Sequence, residues 1–415
     1  MMRMVGLAAR LRDEFSFLRG NLLVLIATYV IFGFTSNLFT PFESLYVREL
    51  GASPLVLGLM SSLGSIILAS IRVPGAYIAD RYGRRNIIVL FTFGVALSYG
   101  FYVVAPDWRL IMVAVVVSSL SHIYQPALEA IEADSMPPEK RGMGYLLIWW
   151  LPGVPGLFAP AISGYLVERY GLVPGMRMVY AVVFVSALTI ALIRWRYLEE
   201  TMEGSASLGP RELGSAFVEA AGSIREAWME SRDIWFLAAV LLLVSFENPL
   251  YNLLYGLYAV DVVGVSAIEW GVVSIIGTMA MSLVGVPAGR LIDRVGRRRG
   301  MLLAYAFSVP ALLALTLIRG FAQMAVVNIA FMVCNSLLFP SIMAMQADLV
   351  PRERRGRVMG LMGTLRSLAM VPAGVVFGLL YEVNRTYPYY VGILIEVIIV
   401  LVIFFFVREP DRRER

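Results

Sequence analysis

Apolar runs long enough to cross a lipid bilayer recur from one end of this chain to the other, and that excludes most ways of folding it. Residues 21–40, 110–121, 178–193 and 391–407 are examples, and about 20 helical residues cover the hydrocarbon core. Of 415 residues 59% are hydrophobic and 16% charged, with a mean hydropathy of +0.75. So little polar surface cannot wrap a soluble core. The expectation is an all-α membrane protein with twelve transmembrane helices: spans 1 to 12 at 21–47, 53–79, 86–105, 109–133, 142–168, 176–196, 233–261, 267–292, 300–318, 321–347, 357–382 and 388–407.

Scarce residue types narrow the chemistry. Lys140 is the one lysine and Arg141 follows it, so the Gly-Lys-Ser/Thr end of a phosphate-binding loop is missing. His122 is the one histidine, which removes two-histidine zinc sites. Neither a metal nor a cofactor is expected. Cys334 is the one cysteine, so no internal disulfide forms. Residues 1–20 carry Arg3, Arg10, Arg12 and Arg19 with no small-residue cleavage site after a short apolar region, so no removable signal peptide is expected.

The arginines set the topology. Of 35 basic residues, 27 fall in segments on the side of the termini and six on the other side, with Arg72 and Arg366 inside spans. Both ends are therefore expected in the cytoplasm of a multi-pass cell-membrane protein. The net charge of +5 is spread over many short loops, which suits anionic lipid and not nucleic acid. Five segments are expected: a cytoplasmic start at 1–20, a six-helix bundle at 21–198, a cytoplasmic linker with a surface helix at 199–232, a second bundle at 233–407 and a tail at 408–415.

The second half repeats the first. Asp80, Arg81, Gly83, Arg84 and Arg85 return as Asp293, Arg294, Gly296, Arg297 and Arg298, and Gly51, Gly58 and Pro74 return as Gly264, Gly271 and Pro287. One residue later in register, Asp134 and Arg141 return as Asp348 and Arg355. A six-span unit has been copied in one orientation, as in transporters that hold substrate between parallel repeats. The motif Gly-x-Leu-x-Asp-Arg-x-Gly-Arg-Arg, complete from Gly289 to Arg298 and begun by Ala76 in the first copy, resembles that of the major facilitator superfamily.

That resemblance implies a carrier of small solutes with two pseudo-symmetric bundles, alternating access and a cavity lined by spans 1, 4, 7 and 10. It also implies that Asp80 grips span 11 near Arg355 and locks an inner gate. The residues alone leave a second reading open, in which the arginines are topology signals and the glycines give the turns backbone freedom.

Polar groups inside only one half are candidate site residues, because ionisable groups at membrane depth are costly. Ser118, His122, Gln125, Glu129 and Glu132 form one face of span 4. Span 1 offers Tyr29, Ser36, Asn37, Thr40 and Glu43. Span 7 offers Glu247, Tyr251, Tyr255 and Tyr258 with Asn248 and Asn252, and span 10 offers Asn328 and Asn335. Depth predicts an Arg72–Glu129 ion pair, with Arg366 either pairing with Glu247 or sharing an anionic substrate with it. Glu247 is the first candidate proton carrier, followed by Glu129, Glu43 and His122.

In span 5, Pro152 to Gly156 and Ala159 to Gly164 look like a degraded Gly-Pro-x-x-Gly-Gly signature of the family's exporters. Proton-coupled efflux of small amphipathic molecules by a monomer is therefore expected, with Phe39, Trp149, Trp150, Tyr251 and Tyr255 as aromatic surfaces. Rivals are an uptake symporter or uniporter for a sugar or organic acid, and a sensor or scaffold that moves nothing. An enzyme is not expected, for no nucleophile has a base beside it.

Overall fold

A computed structural model describes residues 18–137, 144, 147–148, 151–202, 232–349 and 355–409. Side chains at 72–73, 76–77, 79–82, 232–233, 286, 347 and 355–361 fall outside the described set. The described residues are helical, and eleven helices among them are long and apolar enough to cross a membrane. Besides a buried apolar core, many large apolar side chains are exposed on the outer surface, as at Leu90, Leu283 and Leu394. So much exposed apolar surface suits lipid.

Local chemistry places the ends. Spans 2 (Pro54–Tyr82) and 8 (Ala267–Val295) both start at a serine cap, Ser53 and Ser266, equivalent in the repeat. Both stop at glycines with positive φ, Gly83 at 86° and Gly296 at 97°, where a side chain would be strained.

Four spans depart from straight helices. Span 1 breaks between Gly20–Phe39 and Glu43–Glu49. Span 4 runs as Trp108–Ser121, a 3₁₀ turn at His122–Tyr124, and Gln125–Asp134. Pro126 lacks an N–H, so a new helical segment starts at Gln125 after the 3₁₀ turn. Span 5 lies in pieces, Gly153–Gly156 and Ala159–Tyr170, amid Pro152, Pro155 and Pro160. Span 7 passes Pro249 and loosens into π turns at Leu250–Leu254 and Ala259–Val263. The register change turns Tyr258 away from the expected line and buries it, ring centroid 4.3 Å from that of Tyr389.

The two bundles meet along two seams, span 2 on span 11 (Arg355–Val383) and span 5 on span 8. A Cβ on Gly58 would come within 2.0 Å of the Gly374 carbonyl oxygen, and one on Gly271 within 2.4 Å of that of Pro160. These contacts are equivalents, since the repeat carries Gly58 onto Gly271 and Pro160 onto Gly374. Nearer the loops, Gly378 sits on Pro54 and Gly164 on Ala267 by the same relation. Small residues let the backbones touch. All these contacts lie toward the face opposite the termini.

Candidate functional site

That face is fastened by polar contacts as well. Arg48 forms an ion pair with Asp261, the Trp270 indole donates to the Pro41 carbonyl at 2.7 Å, and the Leu55 amide donates to Glu382 at 3.1 Å. Deeper in, the Ser62 hydroxyl donates to the Val371 carbonyl.

Beneath the closed face are two cavities that hold ionisable groups, one per bundle, with a further space between them. The N-terminal cavity, about 640 Å³, is lined by Asn37, His122, Gln125, Glu129 and Glu132 among others. His122 Nδ1 lies 2.7 Å from the Ser118 carbonyl, so Ser118 holds the ring in place and does not line the cavity. At the cavity wall Tyr29 donates its hydroxyl to Glu132. Arg194 of span 6 (Leu172–Tyr197) lies buried between the rings of Tyr29 and Tyr124, 5.9 and 5.8 Å from their centroids, and donates to Thr92 at 3.1 Å. Glu129 lines this cavity and is engaged within the protein. The expected Arg72–Glu129 pair involves a side chain outside the described residues.

The C-terminal cavity, about 250 Å³, brings together Glu247, Asn248, Tyr251, Asn252, Tyr255 and Asn335 from spans 7 and 10. Glu247 is 4% exposed, and its Oε1 is buried without a hydrogen-bond partner. Beside it is Glu396 of span 12 (Tyr387–Phe405), which is not among the candidates named from the sequence. Its Oε1 accepts from the Tyr251 hydroxyl at 2.7 Å and from the Ser308 hydroxyl. The signal was available, since Glu396 is the one charged residue in nineteen. Between the cavities a space of about 280 Å³ touches Glu43, Asn248 and Asn252; Tyr102 donates to Glu43 at 2.9 Å.

Three expected cavity residues are used otherwise. Thr40 donates back to the Ser36 carbonyl at 2.7 Å. Asn328 is buried between helices, accepting from Tyr255 at 3.3 Å and donating to the Val273 carbonyl at 2.8 Å. The expected Arg366–Glu247 pairing is corrected, for Arg366 Nε donates to Ser245 at 3.1 Å, two residues before Glu247 on span 7. No ion pair joins Arg366 to Glu247 among the described residues.

At the termini face the repeated motif builds the same clamp twice. Arg84 pairs with Asp134 and Arg297 with Asp348, the latter at 3.0 Å. Arg85 donates to the Trp195 and Leu198 carbonyls at the end of span 6, and Arg298 to those of Ile403 and Phe404 at the end of span 12. In return Glu200 accepts from the Arg85 amide at 3.0 Å, and Glu409 from the Arg297 and Arg298 amides at 2.8 and 2.9 Å. Each carboxylate satisfies the open N-terminus of a helix. The motif arginines thus bind the corners of their own bundle. Asp293 and Arg294 are exposed, and a methyl on Gly289 would meet nothing within 4 Å. The side chains of Asp80, Arg81 and Arg355, and all of Arg141, Trp149 and Trp150, lie outside the described residues.

Two copied helical bundles around charged intramembrane cavities define the class as a membrane transporter. The chain belongs to the Major Facilitator Superfamily, whose model matches residues 25–285 and 237–415. It is 20% identical over 315 residues to "Multidrug resistance protein 2" of Bacillus subtilis (strain 168), covering 75% of this chain and 76% of that one. It is 22% identical over 356 residues to "Multi-drug resistance efflux pump PmrA homolog" of Lactococcus lactis subsp. lactis (strain IL1403), covering 83% and 84%. Among solved structures, a D-xylose-proton symporter superposes with a TM-score of 0.71 at 16% identity, covering 94% of this chain and 98% of that one. At that identity the likeness shows the fold alone.

Proposed function

We propose that this chain is an alternating-access carrier that exports small amphipathic molecules in exchange for protons, seated in the cell membrane with both termini in the cytoplasm. The observation that carries the reading is the mirrored pair of seams closing one face above cavities lined by ionisable groups. A carrier must close one face over a central site while the other admits solute. On the expected topology the closed face is external, and 199–232 is a cytoplasmic linker.

Export is favoured by the relatives, named as multidrug proteins. Aromatic rings beside polar groups, such as Tyr29, Tyr99 and Tyr124, suit molecules that are part apolar and part charged. Uptake of an organic acid loses its main support, because Arg366 lines neither cavity. Proton coupling rests on Glu247, a buried carboxyl whose cavity holds no cation among the described residues.

The test is reconstitution of the full chain in liposomes with an imposed pH gradient and a panel of lipophilic cations, sugars and carboxylates. Gradient-driven movement of lipophilic cations out of the compartment facing the termini is expected. Movement of sugars or carboxylates alone would overturn the substrate class, and no gradient-driven movement of any solute would overturn the coupled carrier.

A further inference from the structure

Glu396 and Glu247 face one cavity in the C-terminal bundle, and both are almost wholly buried, at 1% and 4% exposure. Glu396 is fixed on one side only. Two hydroxyls, from Tyr251 and Ser308, donate to its Oε1, while its Oε2 is buried with no partner. Glu247 Oε1 is likewise buried and unpartnered. Among the described residues no lysine, arginine or histidine lines this cavity, and its other titratable groups are Tyr251, Tyr255, Tyr305 and Cys334. Arg366, midway along span 11, is turned to Ser245.

Two ionised carboxylates in such a place would repel in a low dielectric and leave two oxygens without donors. A single proton resolves both problems. Bound to either carboxyl, it removes one charge and supplies the O–H that the other's orphan oxygen lacks, directly or through one water. Deepening the proton-coupled reading above, we propose that Glu247 and Glu396 together form one proton-binding unit that carries a single proton per transport cycle, with Tyr251 and Ser308 as positioning residues for Glu396. The proton comes from hydronium at one face, resides on a carboxyl oxygen, and leaves to water at the other. Tyr251 belongs to the cavity wall as well as to the unit, so a solute that draws its hydroxyl off Glu396 changes how the proton is held.

Infrared titration of the purified full-length protein reads this without a transported solute. The native protein, minus the Glu247→Gln/Glu396→Gln double variant, should show a protonated-carboxyl band that grows in two steps separated by more than about tenfold in proton concentration. Each single variant should keep one step and lose the less acidic one. Tyr251→Phe, which keeps both carboxyls should a glutamine variant not fold, should move the steps by about tenfold in proton concentration. Single variants whose remaining carboxyl titrates as in the native protein would overturn the shared unit. A band that follows sodium and ignores pH would overturn the proton as ligand. In liposomes, unchanged pH-driven flux in Glu396→Gln overturns the unit alone, whereas absent pH-driven flux in the native protein overturns the carrier reading on which it rests.

Discussion

Arg48 and Asp261 are equivalent positions of the two repeats, 213 residues apart, and they meet in an ion pair on the face opposite the termini. Equivalent residues touch only near the pseudo-two-fold axis, so opposite charges at this one position let the mouth bind itself shut. Asp261 sits in a π turn, and its carbonyl also accepts from Arg385 at 3.4 Å.

Arg48→Ala or Asp261→Asn should open that face more often. The pair is partly exposed, so the loss is about 1 kcal/mol, or roughly fivefold in the population of the open form. Labelling rates of cysteines placed beside the mouth, in a Cys334→Ser background, should rise in either variant and fall back in the charge-swapped Arg48→Asp/Asp261→Arg. Equal labelling in all four proteins would remove the pair from the gate.

The seam glycines should be far less tolerant. Valine at Gly58 or Gly271 places carbon inside the opposing backbone, so each substitution should hold the seam apart and reduce transport at least about tenfold. Gly285→Ala, where a methyl meets nothing within 4 Å, is the control and should keep native flux.

The clamps at the termini face should act on stability, equally in both bundles. Glu200→Gln and Glu409→Gln each remove a charged helix cap and should cost about 1 kcal/mol in detergent melts. Gly83→Ala and Gly296→Ala should each cost about 1–3 kcal/mol, because φ near +90° is strained for any other residue. A large effect in one bundle and none in the other would contradict the repeated clamp.

Much of this was legible in the sequence because it is carried by period and repetition. Lengths of apolar runs fix the spans, and the duplicated glycines and arginines mark turns and corners that the structure uses twice. What escaped depends on rotation about a helix axis. The π turns after Pro249 reset the register of span 7, so Tyr258 left its line, and Arg366 met Ser245, two residues before Glu247, although the depths agreed. Glu396 and Arg194 escaped for another reason. Glu396 is the one charge of its helix and Arg194 reads as part of the basic end of span 6 beside Arg196, and the purpose of each appears only once Tyr251 or Tyr29 is brought from a distant span.

Arg194 provides a further prediction. Arg194 is 4% exposed, and its guanidinium lies over the Tyr29 ring, whose hydroxyl serves Glu132. Arg194→Met keeps the bulk, removes the charge and should cost about 3 kcal/mol by leaving Glu132 uncompensated. Adding Glu132→Gln should recover part of that loss in the same melt, whereas strictly additive losses would show the two charges to be independent.

The most direct measurement compares native protein with Glu247→Gln in liposomes, scoring solute accumulation under a pH gradient and solute exchange without one. The native protein should do both, and the variant should exchange but not accumulate. Accumulation by Glu247→Gln at the native rate would contradict the assignment of the proton to the C-terminal cavity.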